Sequence, residues 1–207
     1  DHKQKYSGWV KEGLFQTAIL ISLMGNREDL SLSVSPSEWI DRLISTILDS
    51  STIEWWYSNK FVLGLIAETS PRSYIKFIQN DLRKEDSIIK RLFTPKGVNN
   101  LWGPQEDYTH ILFSLQAMLW EEEWLLPISC ILADLSRIEN DSNLYNKPIT
   151  ALYEAYAIWR PQTYAKIPIR LQALETIGKK YPQQAFDLYF KLIDGLDHAT
   201  VSCTHPM

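Results

Sequence analysis

From residue 36 to 49 the apolar residues Trp39, Ile40, Leu43, Ile44, Ile47 and Leu48 recur three and four apart, the spacing that gathers them on one face of an α-helix. Ser35-Pro36-Ser37-Glu38 precedes them: a capping serine, a proline at the first helical position, and a glutamate three residues after the cap. A helix over 36–49 follows. Ser70-Pro71 repeats the start signal, and Tyr74, Ile75, Phe77, Ile78 and Leu82 form a stripe that ends at Arg83-Lys84-Glu85-Asp86. Ile88, Ile89, Leu92 and Phe93 make a short helix stopped by Pro95 and Gly97.

The same periodicity predicts helices over 9–24, 59–68 and 122–137, another from about 111, and three more over 151–159, 167–180 and 182–193. Ile53-Glu54-Trp55-Trp56-Tyr57 leads into the second of these, and Pro127 falls early enough in the third to be tolerated or to bend its first turns. Residues 95–105 hold two Gly, two Pro and two Asn and read as a loop between two halves of one module. The Asn-rich stretch 140–148 is a second loop. Alternation is confined to Leu30-Ser31-Leu32-Ser33-Val34, a short extended segment at most, so strand content is expected near zero.

The chain is therefore all-α. Helix pairs recur at roughly 35 to 45 residues, as in hairpins that stack into a HEAT- or TPR-like superhelical array. The pairs do not resemble one another in sequence, which leaves an irregular helical bundle as the alternative.

Composition narrows the function classes. Of 207 residues 45% are hydrophobic and 22% charged, so a packed core is expected and disorder is excluded. Lys and Arg number 21 against 25 Asp and Glu, a net charge of -4, so no global basic field favours nucleic acid or an anionic membrane. Charge is nonetheless uneven: 76–96 and 160–180 are locally basic, with an acidic stretch over 121–154 between them. The longest apolar runs are far shorter than the roughly 20 residues of a membrane span. The N-terminus lacks an initiator Met and a signal pattern, and the C-terminus stops at His205-Pro206-Met207 without a cap; both read as cuts from a longer, cytoplasmic polypeptide.

No catalytic motif is present. Gly178-Lys179-Lys180 lacks the upstream glycine of a phosphate loop and reads as a helix C-terminus, where lysines are favourable. There is no G-x-S-x-G, and His110 reads as a helix-face residue. Glu121-Glu122-Glu123 begins a helix and complements its dipole. Cys130, inside an apolar run, reads as a buried thiol. His198, Cys203 and His205 cluster within eight residues, yet three ligands fall short of the four of a structural zinc site. No metal or cofactor is expected. A metal-dependent enzyme using those three residues is the alternative from another class.

The aromatics carry the remaining signal. Trp55-Trp56-Tyr57 puts three rings in succession, and at roughly 100° per residue no single helix face buries all three. They are the candidate binding residues, either as a docking anchor or as a plug in the seam between helix pairs. Trp120, Trp124 and Trp159-Arg160-Pro161-Gln162-Thr163 read as packing and turn features.

Ser70-Pro71-Arg72-Ser73-Tyr74, Leu115-Gln116-Ala117-Met118-Leu119-Trp120, Trp124-Leu125, Ile131-Leu132-Ala133-Asp134-Leu135, Trp159-Arg160-Pro161-Gln162-Thr163 and His205-Pro206 together resemble the C-terminal helical-repeat region of large bacterial multidomain NTPases of the signal-transducing, numerous-domain (STAND-like) type. The resemblance spans about residues 70–207 and is carried by packing residues, so it transfers no active site. It implies a sensing or scaffolding segment of a signalling or antiviral-defence protein. The expectation is a non-enzymatic module that binds a protein partner or another domain of its own polypeptide. A purely structural spacer would differ from it in lacking an exposed apolar patch.

Overall fold

The computed structural model describes residues 6–25, 33–94, 99–100, 103–104, 108–138 and 146–194. Its described elements are almost entirely helical: α1 (Gly8–Met24), α2 (Pro36–Asp49), α3 (Ile53–Asn59), α4 (Leu63–Thr69), α5 (Pro71–Asp81), α6 (Ile88–Phe93), α7 (Thr109–Met118), α8 (Glu122–Leu135), α9 (Pro148–Tyr156), α10 (Ile167–Lys180) and α11 (Pro182–Asp194). The one extended pairing among the described residues sets Asn99 opposite Pro104 and Asn100 opposite Gly103.

Helix starts follow the capping chemistry. Ser35 Oγ accepts the Glu38 amide at 3.2 Å with Pro36 at the first position, as the sequence predicts. Thr52 does the same for α3 and Ser87 for α6. Two predicted spans move. The helix expected over 59–68 is split, because the Asn59 side chain donates back to the Trp55 carbonyl at 2.8 Å and a 3-10 turn, Lys60–Val62, intervenes before α4. The Ile53 to Tyr57 lead-in is itself helical. The helix expected over 151–159 begins three residues earlier, since Pro148 supplies the first position, and ends at Tyr156. Beyond it the Gln162 amide returns to the Glu154 carbonyl at 2.9 Å and reverses the chain. Pro127 lies inside α8 without ending it.

The helices pack as two rows. One holds α1, α4, α7, α9 and α11, each against the next, and the other holds α2, α5, α8 and α10. Rungs join α1 to α2, α4 to α5, α7 to α8, α8 to α9 and α10 to α11. A continuous buried cluster threads both rows, from Phe15 through Ile44, Ile66, Ile78, Leu115, Leu132 and Leu152 to Leu188. At about 25 cal/mol per Å² of apolar surface removed from water, this cluster is the main favourable contribution to folding.

Buried polar pairs fix how the rows register. Tyr74 on α5 meets Ser114 on α7 at 2.7 Å, and Ser129 on α8 meets Tyr156 on α9 at 2.8 Å. Gln116 Nε2 on α7 donates to Glu154 Oε2 on α9 at 3.1 Å. Asp81, also buried, accepts Ser87 Oγ at 2.7 Å and the Ile89 amide at 2.8 Å, which folds α6 back on α5. Each of these bonds spares the buried atoms it joins a cost of about 1–3 kcal/mol. Gly25 closes α1 against α2: a Cβ there would meet the Ile21 carbonyl at 2.6 Å and Pro36 at 2.7 Å.

Candidate functional site

The three consecutive rings divide their roles. Trp56 is 1% exposed, stacks on Phe77 at 5.6 Å, meets Trp55 edge-on at 5.7 Å, and donates from Nε1 to Ser51 Oγ at 3.0 Å. It offers no surface to a partner. Trp55 and Tyr57 are half-buried and packed against the core. Trp120 and Tyr164 pair at 4.9 Å, joined by a backbone bond of 2.9 Å, and His110 stands edge-on to Phe61 at 4.9 Å. The carboxylates of Glu122 and Glu123 start α8, and Lys179 and Lys180 end α10, as read from the sequence. His198, Cys203 and His205 lie outside the described residues. Among the described residues no group of three or more His, Cys, Asp or Glu is placed to hold a metal ion.

A larger apolar surface lies elsewhere, on α1. Trp9, Val10, Leu14, Leu20, Ile21, Leu23 and Met24 are all exposed, Trp9 by 84% and Leu14 by 65%. At roughly 100° per residue they cover an arc of roughly 180°. The opposite half, turned toward α2 and α4, carries Phe15, Ala18 and Ile19 together with Lys11, Glu12 and Ser22. Lys11 Nζ is tied down there, donating to the Ser58 carbonyl at 2.8 Å. The polarity of α1 is thus reversed, with its richer apolar half facing out. Trp39 and Leu43 of α2 extend the surface, and Leu23 and Ile19 lead into a groove of about 340 Å³ floored by Ala117, Met118 and Trp124. The charged residues lining that groove, Glu68 and Glu121, are both acidic. The far end of the rows is apolar too, through Ile167 and Leu171 of α10 and Phe186, Phe190 and Ile193 of α11.

A second cavity, about 410 Å³, opens where α5, α8 and α10 end. Arg83, Lys90, Arg137 and Lys180 line it with a single carboxylate, Asp134. The two basic stretches of the sequence, remote along the chain, meet here. Asp134 accepts the Tyr181 hydroxyl at 2.9 Å. Burial, that hydrogen bond and the nearby carboxylate all push the Tyr181 phenol upward. Cys130 is half-buried in the cavity wall, not enclosed as its apolar run predicts. Burial pushes its thiol above the ordinary value, with Lys180 pulling the other way, which keeps it protonated near neutral pH and a poor nucleophile.

Comparison with known proteins returns no match: no family model, no characterised relative and no solved structure resembles the chain.

Neither surface was visible as a site in the sequence. The signal for the first was the excess of large apolar residues in 9–24, seven of them spread over a half-turn of arc opposite Lys11, Glu12 and Ser22. The signal for the second was the pair of basic stretches, without anything to show that they converge.

Proposed function

We propose that this chain is a non-enzymatic interaction module, whose apolar end, formed by α1 with α2, docks an amphipathic helix of a protein partner. The observation that carries the reading is the reversed polarity of α1. A helix in a two-row stack is covered on its inner side, and outward residues gain nothing from being apolar unless something covers them. In a stacked array the terminal layers need polar outer faces for solubility, whereas here both ends are apolar. The occupant is therefore a further helical layer, and the acidic lining of the adjoining groove favours one with basic residues beside its apolar stripe.

Magnitudes agree with this. A large apolar side chain moved from water into a packed seam contributes about 1.5–3 kcal/mol. The seven on α1 together are comparable with the roughly 4–15 kcal/mol that association costs.

The two-row packing supports a HEAT- or TPR-like superhelical reading, and a sensor or scaffold segment of a larger cytoplasmic protein, as the STAND-like resemblance implies, is the setting in which such an uncapped end is useful. The exposed patch favours this over a structural spacer. No helix among the described residues is long and apolar enough to cross a membrane.

The test is photo-crosslinking in the source cells, with a photoreactive residue at Leu14, at Leu20, or at the exposed polar Lys76 of α5, away from this surface, as control. Adducts from both α1 positions that map to a basic, amphipathic helix of another polypeptide support the proposal. No adduct above the Lys76 level overturns it.

A further inference from the structure

The cavity at the ends of α5, α8 and α10 has a composition that the rest of the molecule does not explain. The whole chain is net acidic, yet four cations face one carboxylate here. Among the described residues, Arg83, Lys90 and Lys180 have no carboxylate within ion-pair distance. Arg137 reaches Asp134 only at 3.9 Å, and Asp134 is already engaged by Tyr181. Lys90 is held in place by donating from Nζ to the Lys84 carbonyl at 3.0 Å.

Helix ends account for part of the charge. Each C-terminal end carries about half a negative charge, so the ends of α5, α8 and α10 with Asp134 offset more than half of the four cations, and the N-terminal end of α11 beside Tyr181 adds about half a positive charge. A surplus of roughly two positive charges remains. Beside the cations, Leu82 and Ile138 add a smaller apolar part to the wall, Ile131 being itself buried. A volume of about 410 Å³ falls within the range of about 300–1,000 Å³ that small-molecule sites occupy.

We infer that this cavity binds a small phosphomonoester, its dianionic phosphate held by Arg83, Lys90 and Lys180 and its apolar or aromatic body lying against Leu82 and Ile138. Arg83 supplies the planar pair of donors that matches two phosphate oxygens, and the lysines supply point charge. The inference is independent of the docking surface on α1, which lies at the end of the rows.

Calorimetric titration of the 207-residue chain with AMP, phenyl phosphate, inorganic phosphate and adenosine tests it. The expected result is saturable binding of AMP and phenyl phosphate, with inorganic phosphate and adenosine each at least about tenfold weaker because each lacks half of the contacts. The double variant Arg83→Ala/Lys180→Ala, at two exposed positions, is expected to weaken AMP by about tenfold or more, while Lys76→Ala and Lys191→Ala leave it unchanged. In a Cys203→Ser background, saturating AMP is expected to slow alkylation of Cys130, which places the ligand in this cavity. Absence of saturable binding of both phosphomonoesters at millimolar concentration overturns the inference. So does binding that the double variant retains in full, or that leaves Cys130 alkylation unchanged.

Discussion

Helices α1 and α2 are neighbours in sequence and in space, and they use apolar residues in opposite ways. In α2, Ile40, Ile44 and Leu48 point into the core, while Arg42 and Glu38 pair at 2.6 Å on the solvent side. In α1 only Phe15 is fully buried, the inner half includes Lys11, Glu12 and Ser22, and the outer half is mostly large apolar side chains, with Gln16 and Thr17 among them. The difference teaches where each helix spends its apolar residues: α2 buries Ile40, Ile44 and Leu48 and leaves Trp39 and Leu43 exposed beside α1, whereas α1 leaves most of its large apolar residues uncovered.

Replacing a ring gives the largest contrast. Trp56→Ala opens a void against Phe77 and Trp55 and is expected to cost about 3–5 kcal/mol in chemical denaturation. Trp9→Ala on α1 removes a ring of similar size and is expected to change stability by less than about 0.5 kcal/mol. A comparable loss at Trp9 would mean that α1 is buried after all. Ile44→Ala against Leu14→Ala repeats the contrast with aliphatic residues, about 2–5 kcal/mol for the first and within about 0.5 for the second.

A smaller effect reports on the interior alone. Burial of Tyr74 pushes its phenol far above the ordinary value, its bond with Ser114 opposing this weakly. The folded state therefore holds the phenolic proton more tightly than the unfolded chain. The resulting stability is fully present below pH about 10 and falls as pH rises past that point, by up to about 1.4 kcal/mol per unit. Tyr74→Phe should remove that contribution to the slope in alkaline denaturation curves, at a neutral-pH cost of about 1 kcal/mol. An unchanged slope would show that Tyr74 is accessible to water. The weakest effect belongs to the wet face of α2: Arg42→Ala breaks an exposed pair four residues apart and should cost about 0.3–0.5 kcal/mol, fading in high salt.

The contrast also shows what a sequence can disclose. The stripe of α2 has a polar opposite face, so its periodicity gives both the helix and its orientation. In residues 9–24 the side richer in large apolar residues is opposite Lys11, Glu12 and Ser22, so the pattern gives a helix but points its inside the wrong way. The inside is chosen by α4, which arrives some forty residues later and packs on α1 with Leu63, Ile66 and Ala67 in the same buried cluster as Phe15. The same reason hid the cavity, since Arg83 and Lys180 are far apart along the chain and meet only because α5 packs on α8 and α8 on α10. Trp55, Trp56 and Tyr57 stood out by composition. Their spacing announced that the rings must part company, but which one enters the core depends on Phe77 and Tyr74 of α5. Capping signals, which act within one turn, were legible where a serine precedes a proline: Ser35-Pro36 and Ser70-Pro71 mark real boundaries, whereas the starts at Thr52 and Pro148 were missed.

The most direct test of the central claim is the accessibility of the outer face of α1 in two settings. Leu14→Cys and, separately, Lys76→Cys on the exposed side of α5 are placed in a Cys130→Ser/Cys203→Ser background, and maleimide labelling rates are compared between the purified chain and the protein in lysate of its source cells. The account predicts that Leu14→Cys labels as fast as Lys76→Cys when purified and at least about tenfold more slowly in the lysate, where the partner covers α1. Equal labelling of the two positions in both settings would contradict it.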